Sequence, residues 1–353
     1  MLGTFSSSLR STNFLTKFGG NNFSQLYRKM CDKPKVFVTR SDIPNDAIEL
    51  LKTSCDVTVW NKLETVPINS LVENIKDKDA LFCVLNDQIS SQVLDKAPKL
   101  KVIGTMSVGY DHLDVDAIKK RNIRIGYTPN ILSDATAELT VALLLTTSRR
   151  IIEANNAAKT GEWKSWAPVW MCGPGLKNKT VGLVGFGRIA QQVGRIIKSF
   201  NISKLIYFNR SERKSEACEI GAVRVDFDTL LKESDFVIVT CALAPETKGL
   251  FSTEAFKKMK PTAILINTSR GQVIDQDALV EALENKQIYG AGLDVMYPEP
   301  LPLSNPLLKL NNCVILPHIG SAAIETRQEM ALITAQNILA VLNDKEMPAE
   351  LKL

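Results

Sequence analysis

Three residues in the C-terminal third of the chain carry side chains suited to reducing a carbonyl: Arg270 in Asn-Thr-Ser-Arg-Gly, Glu299 in Tyr-Pro-Glu-Pro, and His318 in Pro-His-Ile-Gly. A guanidinium grips a carboxylate through two parallel hydrogen bonds. A histidine gives or takes, near neutral pH, the proton that must accompany hydride transfer. A carboxylate beside the ring orients it and favours its protonated form. Each residue alone has an ordinary reading: Arg270 as a solvated loop residue, Glu299 as an exposed turn carboxylate, His318 as a satisfied core histidine. Each follows a strand-like apolar run, and together they support one another. The other histidine, His112 in Gly-Tyr-Asp-His-Leu-Asp, is expected to cap local structure.

The hydride donor is written further upstream. An apolar strand, Val181 to Val184, runs into Gly185-x-Gly187-Arg188-Ile189-Ala190. There the first glycine permits a tight turn, and the second lets a pyrophosphate approach the backbone at a helix N-terminus. A second strand, Leu205 to Phe208, ends where an NAD site places an acid against the ribose hydroxyls. Asn209 and Arg210 stand there, followed by Ser211 and Arg213. Neutral Asn and forked positive charge suit a 2′-phosphate, which an Asp would repel, so the sequence predicts NADP(H). A glycine pair alone is only a turn; strand, turn, helix and second strand in order make a Rossmann unit.

These groups need strand ends to stand on, because ligands of open α/β sheets bind beyond the carboxyl ends of the strands. Short β-rich runs at Lys35–Thr39, Asp56–Trp60, Ala80–Leu85, Lys101–Thr105 and Ile123–Tyr127 alternate with helix-like polar segments. That alternation predicts an α/β unit with a parallel sheet. A long helix from near Asn130 to Arg149-Arg150 is placed to bridge two domains. Further strands follow at Thr180–Val184, Leu205–Phe208, Asp235–Cys241, Ala263–Thr268, Gly290–Asp294 and Val314–Leu316, then a helix over Ala322–Leu342. The fold class expected is α/β with two Rossmann-like doubly wound domains, the nucleotide-binding domain inserted into a flavodoxin-like substrate domain. The expected boundaries are 33–128 plus 319–353 for the substrate domain and 129–318 for the nucleotide domain.

Composition agrees with an enzyme of more than one domain: 353 residues, 45% hydrophobic, bury a large core. No apolar run approaches the roughly 20 residues that span a bilayer. The seven cysteines show no Cys-x-x-Cys pair. Cys83, Cys241 and Cys313 lie in strand-like runs and read as small core residues in a reducing compartment. Of the net +5, four charges (Arg10, Lys17, Arg28, Lys29) precede the first acid, Asp32, leaving about +1 for the rest. Nucleic-acid binding therefore has no electrostatic footprint, and no metal is expected. Residues 1–32 resemble a mitochondrial presequence, with Phe5 and Leu9 on one helical face beside Arg10. The alternative is a disordered extension, with Met30 as a second start giving a cytoplasmic form.

The chain resembles the D-isomer-specific 2-hydroxyacid dehydrogenases from about residue 35 to its end. The resemblance rests on Thr105-Met106-Ser107-Val108-Gly109-Tyr110-Asp111-His112-Leu113, the Gly185 turn, Asn267-Thr268-Ser269-Arg270-Gly271, Gly292-Leu293-Asp294-Val295, Pro298-Glu299-Pro300-Leu301-Pro302, Pro317-His318-Ile319-Gly320-Ser321, and the ending Met347 to Leu353. It implies that Arg270 and the amides of Val108 and Gly109 bind the substrate carboxylate, that His318 donates the proton and that Glu299 is its partner. It further implies that Asp294 faces the nicotinamide carboxamide, with Thr268 and Gly320 lining the same pocket. The activity implied is reduction of small 2-oxo acids to D-hydroxy acids, glyoxylate and hydroxypyruvate among them. Another reductase of the family, or a non-catalytic dinucleotide-sensing corepressor of this fold, shares the three residues.

Trp163, Trp166 and Trp170 cluster among Gly161, Pro168, Gly173 and Pro174. Their simplest meaning is a buried hydrophobic patch; an oligomer contact is the second. The resemblance implies a homodimer built around this region, with Trp166 reaching the partner's substrate pocket. Ala242 and Glu246 receive no role.

Overall fold

The computed structural model describes residues 33–352, so the presequence reading of residues 1–32 lies outside the described residues. Two wholly parallel sheets organise the chain. The first has the order β2-β1-β3-β4-β5, formed by β1 (Lys35–Val38), β2 (Asp56–Val59), β3 (Ala80–Cys83), β4 (Val102–Thr105) and β5 (Arg124–Gly126). The second runs β12-β11-β10-β9-β6-β7-β8. Its strands are β6 (Thr180–Val184), β7 (Lys204–Phe208), β8 (Ala222–Arg224), β9 (Phe236–Val239), β10 (Ile264–Asn267), β11 (Gly290–Leu293) and β12 (Cys313–Ile315). These are the flavodoxin-like and Rossmann orders, the latter extended by one strand.

Strands buried on both faces read as continuous apolar runs, and Ala80–Cys83, Val102–Thr105, Phe236–Val239 and Ile264–Asn267 are buried at every position. The observed strands stop a residue or two short of several expected ones, β2 before Trp60 and β3 before Val84-Leu85. β8 is the strand that the sequence reading lacks: at three residues, with Val223 and Arg224 exposed on the sheet edge, it carries no apolar signal.

The helix Ser133–Ser148 lies on the second sheet, its Ala137, Val141, Leu143 and Leu144 packed with Val181, Leu183, Ile238 and Ile266. Just before it, Ile131 and Leu132 pack against the first core, so the chain crosses between lobes at this helix's start. The last helix, Ile324–Leu342, lies on the first sheet, packing Met330, Ala331, Ala335 and Ile338 on Val36, Val38, Phe82 and Val102. Asn337, fully buried on it, donates to Tyr127 O at 3.1 Å and accepts from Ala349 N at 2.9 Å. Its contact with β5 is so close that a Cβ at Gly126 would lie 2.4 Å from the Asn337 side chain.

One expectation fails here. The tryptophans are not a buried patch: Trp163 is 59% exposed, Trp166 81% and Trp170 40%. Residues 161–175 form no helix or strand and leave both cores after Gly161, which closes the helix Ile151–Thr160 in a left-handed conformation. His112, expected to cap local structure, is 4% exposed inside the first lobe, with Nε2 2.9 Å from Thr105 Oγ1. Among the cysteines, Cys83 is buried while Cys241 and Cys313 are half-buried, and the six described are all free thiols.

Candidate active site

β11 and β12 deliver the first part of the site. His318 Nδ1 lies 2.8 Å from Glu299 Oε2, and the other carboxylate oxygen of Glu299 accepts the Met296 N–H at 3.0 Å. The Tyr297-Pro298 and Glu299-Pro300 peptide bonds around it are cis. Burial pushes the Glu299 carboxyl up. The hydrogen bond and charge of His318, the Met296 amide and the Arg270 charge outweigh it and hold the carboxyl below the usual carboxylate range. Glu299 is therefore ionised at neutral pH, and Nδ1 is the donor in the pair. Nε2 is left for a substrate. His318 lines a cavity of about 580 Å³ with Met106, Met296, Leu301 and Arg327, residues drawn from both lobes.

His318 has φ +54°, a left-handed backbone that costs a residue with a Cβ. Asp294, at the end of β11, holds it there. Its carbonyl accepts the His318 N–H at 2.8 Å, and its carboxylate oxygens take the N–H groups of Ile319 at 2.7 Å and Gly320 at 2.8 Å. Burial raises the Asp294 carboxyl, opposed by those two amides and by the His318 charge. The sequence reading gave Asp294 only the nicotinamide. The structure adds that it shapes the turn carrying the histidine, and each oxygen keeps a lone pair for a further donor.

Arg270 stands three residues beyond β10. Buried Asn267 folds that turn, accepting from Ser269 N at 3.0 Å and Ser269 Oγ at 2.8 Å while donating to Arg270 O at 2.9 Å. The guanidinium crosses to the other lobe, where Nε donates to Asp111 Oδ1 at 3.0 Å; Nη1 donates to Ser269 O at 2.9 Å. Nη2 rests on Gly109, where a Cβ would come within 1.8 Å of it, so any larger residue there would push the guanidinium aside. The amides of Val108 and Gly109 donate to no acceptor among the described residues. Unpaired amides beside a guanidinium would suit an anion held between the two lobes. Asp111 went unremarked in the sequence, although an acid two residues from Gly109 was its signal.

A buried string of hydrogen bonds sets the Val108-Gly109 loop. Ser107 Oγ donates to Gly109 O at 2.7 Å, Thr105 Oγ1 lies 2.8 Å from Ser107 Oγ, and His112 Nε2 lies 2.9 Å from Thr105 Oγ1. Burial pushes His112 down to about 4, so the ring is neutral at pH 7.

The dinucleotide half stands on β6 and β7. Gly185 has φ +87°, and a Cβ there would meet Cys241 backbone at 2.7 Å; nothing lies within 4 Å of one at Gly187. Arg188 and Ile189 open the helix Arg188–Lys198 with amides that have no carbonyl partner. An open approach, free amides and a helix N-terminus fit a pyrophosphate. Asn209 Oδ1 accepts the Phe186 N–H at 3.2 Å, and Asn209 Nδ2 donates to Ser211 O at 2.7 Å, locking the glycine turn to the end of β7. Arg210 is exposed with no carboxylate partner, whereas Arg213 Nη1 sits 3.8 Å from Glu216. Thr268 is buried, and its Oγ1 lies 2.8 Å from Thr140 Oγ1, tying β10 to the helix Ser133–Ser148. Trp166 stands on the surface of the exposed loop, outside the grouping of Arg270, Glu299 and His318.

A Rossmann sheet carrying a free pyrophosphate cradle beside a His–Glu pair defines a two-lobed, dinucleotide-binding oxidoreductase. The chain belongs to the D-isomer-specific 2-hydroxyacid dehydrogenase family: residues 141–320 match the model for "D-isomer specific 2-hydroxyacid dehydrogenase, NAD binding domain". It is 51% identical over 322 residues to a mouse glyoxylate reductase/hydroxypyruvate reductase, covering 90% of this chain and 98% of the relative. The human protein of that name is 49% identical over 321 residues, with the same coverage. A solved NADPH-dependent glyoxylate/hydroxypyruvate reductase from Sinorhizobium meliloti, in complex with NADP and malonate, superposes with a TM-score of 0.81 at 27% identity, covering 91% of this chain and 97% of that one.

Proposed function

We propose that the protein reduces hydroxypyruvate to D-glycerate and glyoxylate to glycolate with NADPH. The observation that carries this reading is the His318–Glu299 pair in the cleft between the lobes, with Arg270 and two free amides on its other side. The names of the mouse and human relatives support the substrates. Asn209 and Arg210, with no acid at the end of β7, support NADPH, as does the bound NADP of the Sinorhizobium structure.

Arg270, with its remaining N–H groups, and the amides of Val108 and Gly109 hold the substrate carboxylate, which fixes the adjacent carbonyl in the cleft. A dinucleotide held at Gly185, Gly187 and the amides of Arg188 and Ile189 would supply the hydride for that carbonyl carbon. His318 gives its Nε2 proton to the developing alkoxide, and Glu299 stabilises the positive ring through Nδ1. Asp294 keeps the histidine turned to the cleft.

Loss of reduced-nicotinamide absorbance with hydroxypyruvate and glyoxylate, each against NADPH and NADH, tests the proposal. Efficient turnover of either acid with NADPH preferred is expected. A preference for NADH would remove the cofactor assignment, and no turnover of either acid would remove the substrates. Ile151, Ile152, Trp163, Trp166 and Val169 are all exposed, apolar surface that would suit a second copy of the chain, in which Trp166 would reach the partner's pocket. Light scattering is then expected to give the mass of two chains, and a one-chain mass would rule the homodimer out.

A further inference from the structure

The edge strand β8 ends on Arg224, whose guanidinium reaches back over the turn that follows β7. Its Nη2 lies 3.1 Å from both Asn209 O and Arg210 O. In a trans peptide the carbonyl and the following N–H point in opposite directions. Drawing two successive carbonyls onto one nitrogen therefore turns the N–H groups of Arg210 and Ser211 away from Arg224. β7 lies between β8 and β6 in the sheet, so those N–H groups turn toward the flank where Asn209 Oδ1 holds the Phe186 amide of the glycine turn. Neither amide has an acceptor among the described residues.

The charges point the same way. Arg224 pairs with no carboxylate among the described residues, and its Nε and Nη1 make no hydrogen bond there. Arg210 likewise has no acidic partner, whereas Arg213 is drawn toward Glu216. Two uncompensated guanidinium groups thus flank a turn whose amides are aimed and unpaired, at the strand end where a Rossmann sheet receives the adenosine ribose. An arginine that spends one nitrogen on main-chain carbonyls keeps its positive charge for an anion.

We propose that Arg224 is a specificity-determining residue for the dinucleotide, which aims the Arg210 and Ser211 amides at the 2′-phosphate of the adenosine ribose and helps neutralise its charge. The inference rests on the NADPH reading above and adds a third arginine, from a different strand, to the site read after β7.

Calorimetric titration of the full chain with 2′,5′-ADP and with 5′-AMP tests it without turnover. The unaltered protein is expected to bind 2′,5′-ADP the more tightly. Arg224→Ala is expected to weaken 2′,5′-ADP by about tenfold or more, as for one lost charge-assisted contact, and to leave 5′-AMP within about twofold. Arg224→Lys, which keeps the charge but not the planar fork, is expected to fall between them. If the unaltered protein does not distinguish the two nucleotides, the NADPH reading itself fails. If it does and Arg224→Ala keeps the full preference, only the role of Arg224 fails. Equal weakening of both nucleotides by Arg224→Ala would reduce the residue to a support of the turn and overturn the proposal.

Discussion

The His318–Glu299 side of the cleft and its Arg270 side are assembled on different plans. His318, Glu299 and Asp294 all come from the carboxyl ends of β11 and β12, joined by hydrogen bonds of 2.7 to 2.8 Å within one lobe. Arg270 instead meets Asp111 and Gly109 from the opposite lobe, and the amides beside them belong to that lobe too. One side is thus set by its own strand ends, while the other exists only where two sheets approach. The arrangement teaches a division of labour for the proposed chemistry: the pair would move the proton however the lobes sit, and the clamp would convert lobe approach into substrate binding.

The sharpest way to break that division is at the histidine. His318→Ala is expected to lower kcat for hydroxypyruvate by about a hundredfold or more, the effect of losing a general acid. KM is expected to hold within a few-fold, because Arg270 and the two amides are untouched. Steady-state kinetics at saturating NADPH checks this, and unchanged turnover would take His318 out of the chemistry. The smaller effects, at Glu299 and Asp111, carry the comparison itself.

Much of this was legible in the sequence because the physics was local. The glycine turn, the apolar strand runs and the polar residues at their ends are each written in adjacent positions. Ile264 to Arg270 reads as strand followed by a polar turn, and the structure ends β10 at Asn267, three residues before Arg270. What the sequence hid depended on distant chain. β8 has exposed Val223 and Arg224 and exists because Leu205, Ile206 and Tyr207 offer it a register. His112 reads as a local cap, and nothing in its neighbours shows that the ring is buried against Thr105 at the end of β4. Trp166 reads as core by type alone, and nothing in its own neighbourhood of glycines and prolines shows that the segment leaves both cores. The partnership of Asp111 with Arg270 spans 159 positions, a separation over which no spacing rule operates.

The division of labour stands or falls on Glu299→Gln and Asp111→Ala measured side by side, with kcat and KM for hydroxypyruvate determined separately at saturating NADPH. The account predicts that Glu299→Gln lowers kcat by about tenfold or more, through loss of the charge that supports the proton donor, and leaves KM nearly unchanged. It predicts that Asp111→Ala raises KM by about tenfold, the scale of one lost charge-assisted hydrogen bond, and leaves kcat nearly unchanged. If both variants lower kcat and neither moves KM, the clamp and the proton donor are one unit and the division is wrong.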